Sequence, residues 1–113
     1  MVRGTIVWVN LDPAVGAEVP KLRPAIVVSR EAANRALPTL TIVPLSSVPG
    51  RERDRLVQPL LPRSDTRLRK ESRALCDQVR TVDRRRIQSM GAILPEQALH
   101  KVNRGLVLHL GLD

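Results

Sequence analysis

Short runs of aliphatic and β-branched residues, separated by polar and proline-containing segments, make up the first half of the chain. The runs at 5–10 (TIVWVN), 24–29 (PAIVVS) and 39–45 (TLTIVPL) are typical of strands, because β-branched side chains fit a pleated surface. The segment 30–37 (REAANRAL) has the composition of a short helix. The pattern therefore predicts three strands, with a loop at 11–23 after the first and a short helix after the second.

The strand pattern is weaker in the second half, where charged residues interrupt it. We expect short strands at about 55–60, 72–80 and 90–94, with loops on both sides of the first of them. Polar and basic residues at 81–86 favour a turn between the other two. Together with the first three strands they would form a small, strongly curved antiparallel sheet.

The C-terminal segment has the period of a helix. Pro95 suits its first turn and Gly111 suits its end. With no repeat, linker or second domain visible, we expect one domain over residues 1–113 of mainly β (α+β) class, with the short helix and the C-terminal helix packed on the sheet. The apolar stripe of the C-terminal helix follows spacings of three, four and four residues, at Leu99, Val102, Leu106 and Leu110.

Composition narrows what fills the core. The chain has no Phe, no Tyr and one Trp, so Val, Leu, Ile and Ala must fill the interior. Trp8 lies mid-strand among β-branched neighbours, which favours a position in the core or a dimer interface over base stacking. Cys76 is the only cysteine, which excludes an internal disulfide and favours a buried strand residue over a nucleophile. Without a signal-peptide run or 18 consecutive apolar residues, we expect a cytoplasmic protein with no membrane segment.

The charge balance points to an acidic partner. The formal net charge is +8, from 19 basic and 11 acidic residues, and such a surplus attracts polyanions. Sixteen of the basic residues are Arg, which a GC-rich genome would also explain. The charge alone favours nucleic acid or another acidic partner.

Metal and cofactor chemistry finds no support in the sequence. Two His and one Cys show no ligand spacing, and no phosphate-binding loop motif occurs, so we expect no metal and no cofactor. His100 and His109 lie nine residues apart on the predicted helix, about 900° of rotation, and would point from opposite faces. They are therefore interpreted as surface or interface residues rather than an acid–base pair.

Three polar features remain as candidates for chemistry. Arg23 stands directly before Pro24, which holds its backbone extended at the entrance of the second strand, and Ser46-Ser47 follow the third strand. If those strands are antiparallel, the arginine and the hydroxyls meet at one rim, where a planar guanidinium suits a phosphate. Glu18 lies in the preceding loop. The ordinary alternatives are a surface salt bridge, turn serines and a solvated loop charge.

In this order and spacing, the motifs resemble the MazF/PemK family of toxin–antitoxin ribonucleases. The matching pieces are 3-RGTIVWVNLDPAVGAE-18, 21-KLRPAIVVS-29, 42-IVPLSS-47 and 76-CDQVRTVDRRRI-87, together with the C-terminal helix, whereas residues 49–70 match nothing. The resemblance implies an SH3-like barrel of the MazF/CcdB type that forms a homodimer. It also implies metal-independent cleavage of single-stranded mRNA, by attack of the RNA 2′-OH on the adjacent phosphate with a 5′-OH fragment as product. It further implies inhibition by an antitoxin with an acidic C-terminal segment.

The resemblance also implies roles for individual residues. Arg23 matches the catalytic arginine, Ser47 stands where many relatives carry a catalytic threonine, and Glu18 matches a loop glutamate associated with activity. Ser46 is the alternative hydroxyl, and the proton acceptor is left open among Glu18, solvent and a phosphate oxygen. The residues expected to contact RNA are Lys21, Ser46, Gln78, Arg80, Arg84, Arg85 and Arg86.

Two other functions compete with the ribonuclease. A toxin of the same barrel that binds DNA gyrase, as the CcdB type does, needs no Arg23 and Ser47 placed together. A plain nucleic-acid-binding barrel would use the charge without cleavage. Gln78 and Arg80 could likewise serve the barrel or dimer as ordinary strand residues, and the 84–86 run could be a solvated turn.

Overall fold

The computed structural model describes residues 1–113 as one antiparallel sheet with three helices. The helices are α1 (Glu31–Ala36), α2 (Arg63–Thr66) and α3 (Glu96–Leu110). None of them is long and apolar enough to cross a membrane. The strands are β1 (Thr5–Asn10), β2 (Leu22–Val27), β3 (Thr39–Ser46), β4 (Leu60–Leu61), β5 (Ser72–Ala74), β6 (Arg80–Asp83) and β7 (Ile87–Ile93).

The third strand joins the two parts of the sheet. The strands follow the order β4-β5-β3-β2-β1-β7, and β6 also pairs with β3. The first half of β3 pairs with β6, from Thr39 opposite Asp83 to Ile42 opposite Arg80, whereas its last two residues pair with β5. Because β2 also pairs with β3, from Ala25 opposite Pro44 to Val27 opposite Ile42, three strands meet on one. This arrangement gives the strongly curved sheet that the sequence predicts.

Two aliphatic clusters form the core, and strand alternation sorts residues between them. Ile6 belongs to the cluster of eleven buried residues beneath α3, whereas its neighbour Val7 belongs to a second cluster of eight. Ile26 and Val27 separate in the same way, as expected for side chains that point to opposite faces of a strand. Neither cluster contains an aromatic residue, which confirms the predicted Val, Leu, Ile and Ala interior.

The C-terminal helix covers the larger cluster and ends as predicted. Val102 is fully buried against the sheet. Gly111 adopts a left-handed conformation (φ 68°), and its N–H donates to the carbonyl of Leu108. Leu110, the last residue of the predicted stripe, is 52% exposed because it lies beyond the edge of the core.

The predicted strand at 55–60 is wrong. Residues 55–57 instead form a turn that follows a 3-10 helix at Glu52–Asp54, and only the two residues of β4 pair with β5. Charged side chains close this turn locally, with Arg55 Nε 3.0 Å from Glu52 Oε1. Pro59 also lacks the N–H that a regular strand needs.

The predicted strand at 72–80 is two strands with a 3-10 turn between them, at Cys76–Gln78. The turn places Cys76 on the buried side of α3, where its Sγ lies 3.6 Å from the carbonyl of Val102. The turn predicted at 81–86 is shorter, at Arg84–Arg86, and β7 begins at Ile87 rather than at residue 90.

Candidate functional site

A cleft of about 380 Å³ lies among β1, the start of β2, the end of β3 and the segment after α2. Trp8 and several aliphatic residues contribute its apolar part, and no carboxylate lines it. A cavity that joins an apolar surface to several cations suits a ligand with flat rings and negative charge. The polar and cationic lining residues are Lys21, Arg23, Ser47, Arg69, Lys70 and Ser72.

Arg23 is half-buried in this cleft and is fixed by one hydrogen bond. Its Nε–H donates to the carbonyl oxygen of Pro20 at 2.8 Å. The two terminal amino groups make no hydrogen bond or ion pair within the chain. The anchor at Nε and the extended backbone before Pro24 therefore hold the guanidinium plane while leaving its fork free for an anion.

Ser46 is the last residue of β3 and Ser47 follows it, and the two serines have different environments. Ser46 is 9% exposed, and its Oγ accepts the N–H of Val48 at 3.2 Å, which stabilises the turn. Ser47 is exposed and lines the cleft with Arg23. Antiparallel pairing of β2 with β3 produces this proximity, because the start of one strand lies beside the end of the other. Of the two candidate hydroxyls, only Ser47 faces the cleft.

Lys21 lines the cleft from the end of the loop between β1 and β2, where two hydrogen bonds close the base of the loop. Its backbone is left-handed (φ 69°), and its N–H donates to Oδ1 of Asp12 at 2.7 Å. Its carbonyl accepts the N–H of Leu11 at 3.0 Å. Asp12 was not among the predicted site residues, although it lies in the segment 3–18 that resembles the toxin family.

Glu18, Gln78 and Arg80 lie together in a second cleft, of about 420 Å³. Glu18 Oε1 accepts the N–H of Val15 at 2.7 Å, and Gln78 Oε1 accepts the N–H of Val19 at 3.0 Å. Both side chains thus order the loop between β1 and β2. The structure does not bring Glu18 to Arg23 and Ser47, since it lines the other cleft.

The run at 84–86 is engaged within the chain. Arg84 donates to the carbonyl oxygens of Asn34 and Leu37, at the end of α1. Arg86 donates to the carbonyls of Asn10 and Asp12, at 3.1 and 2.6 Å.

Arg85 is exposed and pairs with the carboxylate of Asp83 at 3.1 Å, a hydrogen bond that lowers the pKa of that carboxyl. None of the three arginines of this run lines the cleft of Arg23.

Arg69 and Lys70 are cleft residues that the sequence analysis did not identify. Both are exposed, and neither takes part in an ion pair. They follow Arg67, which ends α2 in a left-handed conformation (φ 62°). The sequence predicted only a loop here, so the cleft wall that follows α2 was not predicted.

The other candidates for chemistry do not approach the cleft. Cys76 is fully buried, and burial raises the pKa of its thiol to about 12, with the nearby charge of Asp77 adding to the effect. A thiol that resists ionisation is a poor nucleophile, so the prediction of a buried core cysteine is confirmed, although it lies in a turn rather than a strand. His100 and His109 are both exposed on α3.

A family model matches residues 2–110, and its description is a PemK-like, MazF-like toxin of type II toxin–antitoxin systems. The chain belongs to this family. It is 26% identical over 114 residues to a protein named Endoribonuclease MazF from Staphylococcus saprophyticus, covering 99% of this chain and 92% of that protein. The family predicted from the sequence motifs is thereby confirmed.

Solved structures confirm the fold. A crystal structure of MazF from Deinococcus radiodurans superposes with a TM-score of 0.81 at 28% identity, covering 98% of this chain and 96% of that one. A MazE–MazF structure from the same organism has a TM-score of 0.76 at 27% identity, covering 100% and 97% of the two chains. The predicted SH3-like barrel of the MazF type, with a short helix and a C-terminal helix, is therefore the fold of this chain.

Proposed function

We propose that this chain is the toxin of a type II toxin–antitoxin system and a metal-independent endoribonuclease that cleaves single-stranded mRNA in the cytoplasm. One observation carries the proposal. The free fork of Arg23 and the hydroxyl of Ser47 line the same cleft, among further cations and without a carboxylate. Membership of the toxin family and the name of the Staphylococcus relative support the same activity.

The reaction needs no protein nucleophile. The RNA 2′-oxygen forms a bond to the adjacent phosphorus, the bond from phosphorus to the 5′-oxygen breaks, and the products end in a cyclic phosphate and a 5′-OH. Guanidinium groups stay charged at neutral pH, so we assign Arg23 to stabilising the phosphorane oxygens as charge develops on them. Ser47 donates a hydrogen bond to another phosphate oxygen. The cleft thus acts by orientation and charge stabilisation.

We assign the proton from the 2′-OH to an acceptor other than Glu18. Glu18 lies in the second cleft and already accepts a backbone N–H. We therefore assign proton acceptance to solvent or a phosphate oxygen, with the 5′-oxygen gaining a proton as it leaves. Glu18, Gln78 and Arg80 are assigned to contacts with RNA that continues into the second cleft.

Phosphates next to the scissile one require cations along the cleft. Lys21, Arg69 and Lys70 line it, and none of them is in an ion pair. We assign these three side chains to the flanking phosphates. The same cations suit the acidic segment of an antitoxin, which would compete with RNA for them.

An exposed apolar surface supports a homodimer. β7 is the last strand in the sheet order, and Met90 and Ile93 on it are 65% and 60% exposed. A second copy covering the free edge of β7 would remove this apolar area and the unpaired backbone groups from water.

Incubation of the purified protein with a long single-stranded RNA in EDTA tests the function. We expect fragments with 5′-OH ends, cut at one repeated short motif, and no cut by the Arg23→Ala variant. Binding without cleavage would instead establish a plain nucleic-acid-binding barrel. Inhibition of DNA gyrase without RNA cleavage would establish a toxin of the CcdB type.

A further inference from the structure

Trp8 is the only aromatic residue of the chain, and it lies on the cleft rather than inside either core cluster. The sequence favoured the core or a dimer interface for it, but its side chain is only half-buried. A large indole left at the wall of a cationic cleft exposes apolar area without contributing to the core. The position of the indole therefore favours a ligand that covers its exposed surface.

The neighbours of Trp8 leave room beside the indole. On one side it is paired in register with Pro24, a flat apolar residue that also lines the cleft. On the other side its partner is Ser89 of β7, which is small and exposed. Proline supports the ring, whereas serine fills little space, so part of the ring surface stays accessible.

The indole N–H is also unused. It makes no hydrogen bond within the chain, yet no fully buried side-chain nitrogen or oxygen of the chain lacks a partner. The N–H must therefore be reachable from outside. Tryptophan in a protein usually satisfies this donor, and a nucleobase or ribose offers acceptors for it.

We propose that Trp8 is the base-stacking platform of the cleft and holds the nucleobase next to the scissile phosphate. The proposal rests on the proposed ribonuclease function and specifies how that site positions its substrate. Stacking is tolerant of base identity and anchors a single strand without pairing. With Arg23 and Ser47 on the same cleft, a base held on the indole would set the position of its own phosphate against the guanidinium fork.

The single aromatic residue makes the test direct, because all intrinsic fluorescence of the protein arises from Trp8. The probe is a 2′-O-methyl RNA of the mapped cleavage site, which binds but cannot react. A second probe lacks the base beside the scissile phosphate. We expect the intact probe to shift and quench the emission and the abasic probe to leave it nearly unchanged.

Two substitutions of Trp8, each measured with both probes, test whether the indole binds the base. Trp8→Leu should weaken binding of the intact probe by roughly 10- to 100-fold, Trp8→Phe should restore most of it, and Trp8→Leu should not weaken the abasic probe. Leu37→Ala, at an exposed apolar residue after α1, is the control that should bind as the unchanged protein does. Circular dichroism melting confirms that each variant is folded.

Three results would overturn the proposal. One is unchanged emission when the intact probe binds. Another is equal weakening of both probes by Trp8→Leu, which would show a purely structural role. The third is emission that responds to protein concentration but not to RNA, which would place Trp8 under a second copy of the chain. In each case the unchanged protein still cleaves RNA, whereas failure of the proposed function would appear as no cleavage at all.

Discussion

Replacing Arg23 by lysine keeps the positive charge in the cleft but removes the planar guanidinium with its two free amino groups. The guanidinium is held through Nε–H on the Pro20 carbonyl at 2.8 Å, and its two terminal amino groups are free to bind two phosphate oxygens. Lysine offers one ammonium and no fixed plane. Loss of a donor that stabilises developing charge lowers kcat by about 10²- to 10³-fold, so we expect Arg23→Lys to fall in that range.

The effect on folding should be small by comparison. The substitution removes one half-buried hydrogen bond, worth about 1 kcal/mol, which corresponds to a decrease of roughly 4 °C in Tm. Single-turnover cleavage of the mapped RNA gives the chemical rate, and circular dichroism melting gives the stability. The matched control is Arg35→Lys, since Arg35 is exposed on α1 and makes only a 3.9 Å ion pair with Glu31.

Cleavage by Arg23→Lys at a rate near that of the unchanged protein would refute the two-point contact with phosphate. An equal loss in Arg35→Lys would show that arginine replacement acts through the general charge of the protein. A large decrease in Tm with Arg23→Lys would mean that the Pro20 contact serves the fold more than the reaction.

Three further predictions follow from the site and the core. Ser47→Ala should lower the cleavage rate by about 10- to 100-fold, whereas Ser46→Ala should lower stability by about 1 kcal/mol with little change in rate, as single-turnover assays and urea unfolding will show. Arg69→Gln and Lys70→Gln should each reduce the slope of log Kd for single-stranded RNA against log salt by about 0.7, measured by fluorescence titration. Gly105→Ala should destabilise the protein by about 1–3 kcal/mol in urea unfolding, because the new Cβ would lie 2.7 Å from Cys76 Sγ.

Each of the three has a control. Ser47→Thr should retain activity, and loss of activity in Ser46→Ala alone would assign the hydrogen bond to the phosphate to Ser46. Arg104→Gln, at an exposed position on α3, should leave the salt slope unchanged. Cys76→Ala should relieve part of the Gly105→Ala effect, and a stabilised Gly105→Ala would mean that alanine's helix propensity, worth about 1 kcal/mol, outweighs the close contact.

The well-patterned elements could be predicted from the sequence. β1, β2 and β3 follow runs of β-branched residues, and α3 follows an apolar period between a proline and a glycine. Antiparallel pairing of β2 with β3 was enough to expect Arg23 and Ser47 at one rim, since strand direction alone decides which ends meet.

The part that could not be predicted depends on tertiary packing. β5 and β6 are separate strands because Cys76 packs under α3 against Gly105. The sequence around these two residues does not indicate this contact. Arg69 and Lys70 reach the cleft only through the position of α2, a four-residue helix with no periodic signal. Glu18 lies in a long loop, where composition does not determine which cleft a side chain enters.

The hydrogen bonds that close the base of the loop between β1 and β2 separate the cleft residues from the outer part of the loop. Asp12 and Leu11 fasten both ends of the loop to Lys21, so the positions of Lys21 and Arg23 do not depend on what the loop does farther out. The outer residues of the loop, from Pro13 to Glu18, lie away from the Pro20 carbonyl that holds Arg23, so changes in their number or type would not move the guanidinium. Under the proposed function, the outer loop could therefore change its contacts with RNA while Arg23 keeps its contact with the phosphate.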